Sequence, residues 1–567
     1  MLKILQTSYS IINKKHRANL NFLYIIFFIS MILETMSIGL FIPILNNFAG
    51  ISSDFNQYIP DFFRNNPKDN IFYLLLILGI IFTFKTIFLS YSSYEKEKFA
   101  WELNDFLSKK SHNIYLKKKY AFHIKNNSSA LIRDINDVKF GTDFFKGLIN
   151  LISEILILIG IIALISIYNP LSTFIIFSLI GSMGFIFYKF IQSKAKRWGE
   201  QRQKFEEKRF FNLQLSFNEI KNIKLSNKEN FFNKVFSESN LQTVKANFKN
   251  HFISSLPKLW MEWITLVIIS FLIFILINIG VDFKIILAQI GLYAIAAYRI
   301  VPSITRIMNA VQAIRFGTPV ILKIKEIFKN QEDEVVALSN LNIEFKNKLE
   351  FKNITFSYNL NEPAIFENLN LEITPNSFNG IKGKSGAGKS TVVNILAGLL
   401  IPTKGKILAD NSDIKENLKS WQSKIGYVPQ NVFLGDLSIR ENIAFGENND
   451  LIDEKKLIRA VSLARLDRFV KDLEHGLDTK IGEFGSQISG GQKQRIGIAR
   501  ALYNIPQILI LDESTNALDE NTENEILQDI LKLKTNNITL FSISHDEKSL
   551  SICDNIYEIK NKKIIKL

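Results

Sequence analysis

The sequence predicts a multidomain fold: an α-helical membrane domain with six transmembrane helices, followed by an α/β phosphate-loop (P-loop) nucleotide-binding domain. Three observations carry this. Apolar runs recur near residues 20–44, 71–91, 149–168, 171–192, 259–280 and 285–308, each close to the ~20 residues that span a bilayer as helix; none returns after residue 330. The run GKSGAGKST at 383–391 has the glycine spacing of a phosphate loop. With 47% hydrophobic residues and a mean hydropathy of +0.09, the 567-residue chain is too apolar to be wholly soluble and too polar to be wholly embedded in lipid. The expected division is a membrane domain with long cytoplasmic helical loops over 1–330, a linker over 331–347 and a nucleotide-binding domain over 348–567.

The loops orient the spans. The connectors after the second and fourth runs are rich in Lys and Arg, whereas the 45–70 connector holds only Arg64 and Lys68, so the rich loops, both termini and the nucleotide half are expected in the cytoplasm of a bacterial inner membrane protein. Lys3, Lys14, Lys15 and Arg17 precede a first run too long and too late for a signal peptide, which is expected to stay as an anchor. The two basic connectors carry amphipathic helical spacing and are expected to extend the spans beyond the bilayer, reversing in short coupling turns near 117–125 and 210–221.

Charges inside apolar runs are costly and therefore mark function. Glu34, Lys85, Arg299 and Arg306 stand out. At ~1.5 Å per residue from the expected span edges, Lys85 and Arg299 share a depth of ~21 Å below the outer face. Glu34 falls in the outer third, a poor direct partner for Arg299, and Arg306 reaches the inner boundary, where it should snorkel to water. Ala296, Arg299, Ser303, Arg306 and Ala310 share one helical stripe beside Pro302, suited to line a wet cavity and to grip phosphate. Arg299, Arg306 and Lys85 are the substrate candidates, with an internal ion pair as the alternative role for Arg299. The connector from Ile51 to Phe63 is expected either to lie on the outer membrane surface or to form an ordinary turn.

The net charge of +15 does not indicate a nucleic-acid partner: Lys, Asn, Ile and Phe are all abundant together, and no aromatic-plus-basic stripe is present. The single cysteine, Cys553, is expected to be a buried inert thiol.

In the second half, Gly383, Lys384, Ser385, Gly386, Ala387, Gly388, Lys389, Ser390 and Thr391 form the loop whose backbone N–H groups cradle phosphate at a helix N-terminus. Lys389 would neutralise the β/γ oxygens and Ser390 would hold Mg²⁺. The apolar run 508–511 reads as a buried strand delivering Asp512 to Mg²⁺ and Glu513 to the attacking water.

With ISGGQ at 488–492, these motifs resemble, in order and along nearly the whole chain, an exporter-type ATP-binding cassette (ABC) half-transporter. The resemblance implies further roles. Tyr358 would stack on adenine, Gln430 would touch Mg²⁺ and sense the membrane domain, and Ser489, Gly490, Gly491 and Gln492 would complete the site of a partner cassette. TKIGEFG at 479–485 resembles the segment that contacts the transmembrane loops, NALD at 516–519 stands at the dimer contact, and His545 matches the switch histidine; Lys384 and Asp546 depart from the common pattern. Glu513, His545, Lys389 and Gln430 would be catalytic, with ATP and Mg²⁺ as cofactors. A homodimer with head-to-tail cassettes follows from the same resemblance.

ETMSIGLFIPIL at 34–45 and AAYRIVPSITRI at 296–307 resemble the matching segments of PglK-type flippases of lipid-linked oligosaccharides. That likeness implies a homodimeric flippase whose partners are membrane lipid and an amphipathic or lipid-linked pyrophosphate substrate. The alternatives are a multidrug, lipid or peptide (bacteriocin) exporter and, from another class, an ATP-gated channel or sensor.

Overall fold

The computed structural model describes residues 2–42, 44, 67–168, 170–280, 283–329, 342–359, 362–513, 520–534, 536–544 and 547–567. The chain divides into two compact units, one of residues 1–118 and 126–334, the other of residues 119–125 and 335–567. The split is therefore not a single cut between contiguous halves.

The first unit is helical: α1 (Leu2–Ile11), α2 (Lys14–Gly39), α3 (Pro67–Lys117), α5 (Ser128–Asn136), α6 (Val138–Tyr168), α7 (Pro170–Asn218), α8 (Ile220–Leu225), α9 (Glu229–Asn278) and α10 (Phe283–Lys329). The six apolar runs fall on α2, α3, α6, α7, α9 and α10. Most of these helices far outlast their runs: α3 has 51 residues, or ~77 Å at the helical rise, against a hydrocarbon core of ~30 Å. Among the described residues four stretches, Lys14–Gly39, Leu74–Lys117, Ser128–Ile167 and Glu229–Ile275, are long and apolar enough to cross a membrane. The expectation of six crossings is thus supported for four by length and composition.

The α10 helix packs on α6, α7 and α9, while α2 packs on α6 and α3. Their shared core includes Leu23, Phe27, Leu103, Phe144, Ile321 and Ile324. Helices approach closely where side chains vanish: a Cβ on Gly317 of α10 would sit 2.6 Å from the Phe140 carbonyl of α6.

The expected coupling turn near 210–221 lies later. Residues 210–218 continue α7, and the chain reverses only over 219–228, around α8, where Asn227 adopts the left-handed conformation that asparagine tolerates. The other expected turn contains a short helix, α4 (Tyr120–Lys125), which belongs to the second unit. There Ala121 packs on the core and Lys125 Nζ donates to Asn359 Oδ1 at 2.5 Å.

The rest of the second unit is built on two sheets. β1 (Leu349–Phe356) pairs antiparallel with β2 (Phe366–Ile373) and β4 (Lys404–Ala409), and β5 (Ser412–Asp413) joins at the edge. The second sheet has the order β10-β9-β3-β8-β7-β6, with β6 (Ile425–Val428), β7 (Ile508–Asp512), β8 (Thr539–Ile543), β3 (Phe378–Gly383) and β9 (Asn555–Lys560) parallel and β10 (Lys563–Lys566) antiparallel. Both β7 and β8 are apolar and buried, as a parallel strand covered on both faces must be. Trp421 closes the core, fully buried, with its indole N–H donating to the Leu396 carbonyl at 2.7 Å.

Candidate functional site

The phosphate loop grows out of strand order. β3 ends in Gly383 and β7 in Asp512, and the two strands flank β8, so the loop and the acidic residues lie at the same carboxyl edge, where α/β sheets bind ligands. From Gly383 the chain turns through 384–388 into α11 (Lys389–Leu396). Gly388 caps that helix at φ 100°, and a Cβ there would meet Phe366 Cζ at 2.6 Å and Ile365 Cγ2 at 2.8 Å. Only glycine fits.

Lys389 is buried at the first helical position. Its Nζ donates to the Gly383 carbonyl at 3.0 Å and lies 3.9 Å from Glu513 Oε1. Burial lowers its pKa, opposed by the carboxylates of Glu513 and Asp512. An ammonium held on the Gly383 and Lys384 carbonyls beside two acids is a ready counter-charge for phosphate. Ser385 and Ser390 are exposed at the same loop.

The acidic pair is differentiated by its neighbours. Asp512 Oδ2 accepts from the Tyr427 hydroxyl at 2.9 Å, and burial raises its pKa, with the nearby Glu513 charge adding to the rise. Burial raises the Tyr427 hydroxyl likewise, reinforced by Asp512, so it stays a proton donor. Glu513 Oε2 accepts from Gln430 Nε2 at 3.0 Å, and the Glu513 N–H donates to the Ile543 carbonyl at 3.1 Å. Glu513 holds φ 48°, a conformation that costs a non-glycine residue about 1–3 kcal/mol and collects at functional sites. Lys389, Asp512, Glu513 and Gln430 are thereby brought together. Tyr427 completes the set and escapes the sequence reading, because its only signal is a place on β6 beside β7, opposite Ile510.

The residues fit a magnesium nucleotide. Ser390 hydroxyl, Asp512 carboxylate and the Gln430 carbonyl are hard oxygen donors, and a buried carboxylate whose charge is penalised is one that a divalent cation stabilises. Tyr358 stacks edge-on against Phe356 at 5.1 Å, and its hydroxyl shares a 3.1 Å hydrogen bond with Thr391 Oγ1, which ties it to the first turn of α11.

Ser489 caps α16 (Gly490–Leu502) through a reciprocal capping box with Gln492. Ser489 and Gly490 are exposed, and Gly491 is half-buried, at the head of that helix. In the 479–485 segment Phe484 holds φ 54° and packs edge-on against Phe433 at 5.5 Å, both rings exposed. His545 and the 516–519 tetrad lie outside the described residues, as does the 51–63 connector. Burial pushes the Cys553 thiol up to about 12, which makes it unreactive.

Gly388→Ala is expected to abolish nucleotide binding while the cassette core stays folded. The methyl group must displace Phe366 or reshape the loop, in a conformation that L-residues avoid. Nucleotide titration followed by fluorescence, with circular dichroism as the fold control, checks this; wild-type affinity would refute it.

The charged residues of the helical unit pair with one another. Arg299 Nη2 lies 2.8 Å from Glu34 Oε1, and Lys85 Nζ lies 3.4 Å from Glu34 Oε2 and 3.1 Å from Ser37 Oγ. Glu34 is thus the direct partner of Arg299, against the depth count. Arg306 is exposed, and its guanidinium also reaches both oxygens of Glu154, at 2.6 and 3.3 Å. Most of these helices run on well past their apolar runs, so run edges do not fix depth. Glu154 itself lies within the 149–168 run and was open to the same intramembrane-charge argument. A cavity of about 370 Å³ is lined by Glu34, Lys96, Ser153, Glu154, Arg299 and Arg306 among others.

Residues 366–516 match the family model described as ABC transporter. Over 223 residues, 39% of this chain, the sequence is 39% identical to the leukotoxin export ATP-binding protein LtxB of Aggregatibacter actinomycetemcomitans, covering 31% of that protein. Over 224 residues, again 39% of this chain, it is 39% identical to ABC transporter B family member 21 of Arabidopsis thaliana, covering 17% of it. The chain therefore spans a third or less of these two relatives. Its structure is similar, at a TM-score of 0.78 and 20% identity over 98% of this chain and 95% of the other, to a bacterial Atm1-family ABC exporter with ATP bound. The fold is that of an ABC exporter, and the second unit carries an ABC transporter ATPase domain.

Proposed function

We propose that the chain is one half of a homodimeric ATP-driven exporter with six spans. In this reading it moves an amphipathic anion, best matched by a lipid-linked pyrophosphate oligosaccharide, across a bacterial inner membrane with its cassette in the cytoplasm. The observation that carries the substrate reading is the cavity above, where Arg299 and Arg306 each already sit on a carboxylate and Lys96 rests on the Ser153 hydroxyl. A phosphate arriving at Arg299 displaces Glu34, and Glu34 keeps Lys85 as its counter-charge. The exchange leaves no charge unpaired.

On the nucleotide side, bound MgATP supplies a phosphoanhydride whose cleavage separates the cassettes. Lys389 would neutralise phosphate oxygens, while Ser390, Gln430 and Asp512 would hold the metal, which would supply charge neutralisation. Glu513 would polarise water, its carboxylate held in place by the Gln430 amide. The exposed head of α16 supports a composite site, its N–H groups serving the partner's phosphate. Subunits carrying Lys389→Ala and subunits carrying Ser489→Arg should each be inactive alone, and mixing them should restore ATP turnover, because the mixed dimer holds one intact site. No recovery on mixing, with dimers present, would overturn the composite site.

The substrate is tested by flipping in vesicles. Arg299→Ala is expected to impair movement of a polyprenyl-diphosphate disaccharide and to leave basal ATP turnover unchanged, and Arg299→Lys to rescue only in part, since an ammonium lacks the planar fork. Unimpaired flipping by Arg299→Ala would return Arg299 to a purely structural pair. The second reading is protein export, as the leukotoxin relatives are named; the identity that favours it is confined to 39% of this chain. Stimulation of ATP turnover by an acidic peptide and not by the lipid would favour that reading.

A further inference from the structure

Beside the charged cavity lies a second one of about 360 Å³ with a different chemistry. Its lining includes Asn150, Asn247, Asn250, Asn309 and Gln312, and it shares Lys146, Asn150 and Arg306 with the first cavity as a common wall. Five side-chain amides line one small space between helices, four of them, Asn247, Asn250, Asn309 and Gln312, just outside the apolar runs. Two of their oxygens are orphaned: Gln312 Oε1 and Asn309 Oδ1 are buried with no hydrogen-bond partner.

The Gln312 amide cannot simply be reversed. Its Nε2 donates to the Asn250 carbonyl and, at 3.0 Å, to Asn250 Oδ1, so two acceptors fix the nitrogen side and leave the oxygen for an incoming donor. Gln312 is 3% exposed, which makes an unmet acceptor there expensive. Asp143 in the same lining adds a further acceptor.

We propose that this cavity is a binding subsite for the hydroxyl-rich part of the substrate, a sugar attached to the anionic group that engages the neighbouring cations. A hydroxyl donates to the orphan oxygens and accepts from the amide nitrogens through one atom, which matches a wall of amides better than a peptide, whose donors and acceptors sit on separate atoms. The shared wall of Arg306, Lys146 and Asn150 lets one ligand occupy both cavities, its charge in one and its hydroxyls in the other. This proposal rests on the anion reading of the charged cavity.

The experiment compares two probes on the full-length protein in nanodiscs: farnesyl diphosphate, and farnesyl diphosphate carrying a disaccharide. Binding and stimulation of ATP turnover are both followed. The wild type is expected to bind the glycosylated probe at least about tenfold more tightly, as a site with unpaired buried acceptors should. Gln312→Leu and Asn309→Leu are each expected to remove that preference while binding of the bare diphosphate and basal turnover stay unchanged. Because Gln312 also joins α10 to α9, Asn309→Leu decides the matter if Gln312→Leu fails to fold. Equal affinity for the two probes in the wild type, or a preference that survives in Asn309→Leu, would overturn the subsite and leave the anion reading standing. If neither probe binds a protein that still hydrolyses ATP, the anion reading fails and the subsite with it.

Discussion

Glu513→Gln is expected to lower ATP turnover by about 10²- to 10⁴-fold, the range a positioned general base supplies, while nucleotide binding persists. The amide keeps the shape of the carboxylate but cannot take a proton from water. The hydrogen bond from Gln430 Nε2 can still be accepted by the new side-chain oxygen, so the loop geometry should survive. Lys389 remains beside the Gly383 and Lys384 carbonyls and loses one of two nearby negative charges, which favours bound phosphate. Phosphate-release assays and nucleotide binding, measured on the same preparation, separate the two effects. Turnover within a few-fold of wild type would remove Glu513 from the role of base.

Glu34→Ala is expected to destabilise the helical unit by about 3–5 kcal/mol, the typical cost of stripping a buried charge of its partner. Glu34 is 3% exposed and takes cations from two other helices, α3 and α10. Its removal takes the carboxylate from both Lys85 and Arg299 and leaves Lys85 with only the Ser37 hydroxyl and the Phe82 ring. Arg299→Ala should cost less, because Glu34 retains Lys85 at 3.4 Å. The ranking, Glu34→Ala worse than Arg299→Ala, can be read from the thermal midpoint of each purified variant in the same detergent. The reverse ranking would mean that the carboxylate does not organise the cluster. A double replacement, Glu34→Leu with Arg299→Leu, should recover part of the loss, since well-packed apolar residues can replace a buried ion pair.

Much of the nucleotide half was legible in the sequence because its chemistry is written in short, contiguous runs. Gly388 must be glycine for a local reason, a left-handed cap against Phe366, and 383–391 announces it. The 508–511 run announces a buried strand, and strand order then puts its end beside the loop. Tyr427 had no such signal. A tyrosine on a short strand is ordinary until the neighbouring strand ends in an aspartate that accepts its hydrogen bond. The apolar runs were equally legible, but the edges of those runs were a poor ruler, since α3 alone continues well beyond what a bilayer can cover.

The apolar runs, the basic connectors and the phosphate-loop and acidic motifs were readable from the chain alone, because each depends on neighbours within a few turns of chain. Only the tertiary structure decided the partners. Glu154 meets Arg306 across 152 residues, Glu34 meets Lys85 across 51, and residues 119–125 join the unit that begins again at 335. The reason is physical: periodicity and turn chemistry act over short separations, whereas the pairing of buried charges is set by how long helices are placed side by side, and no local rule carries that information.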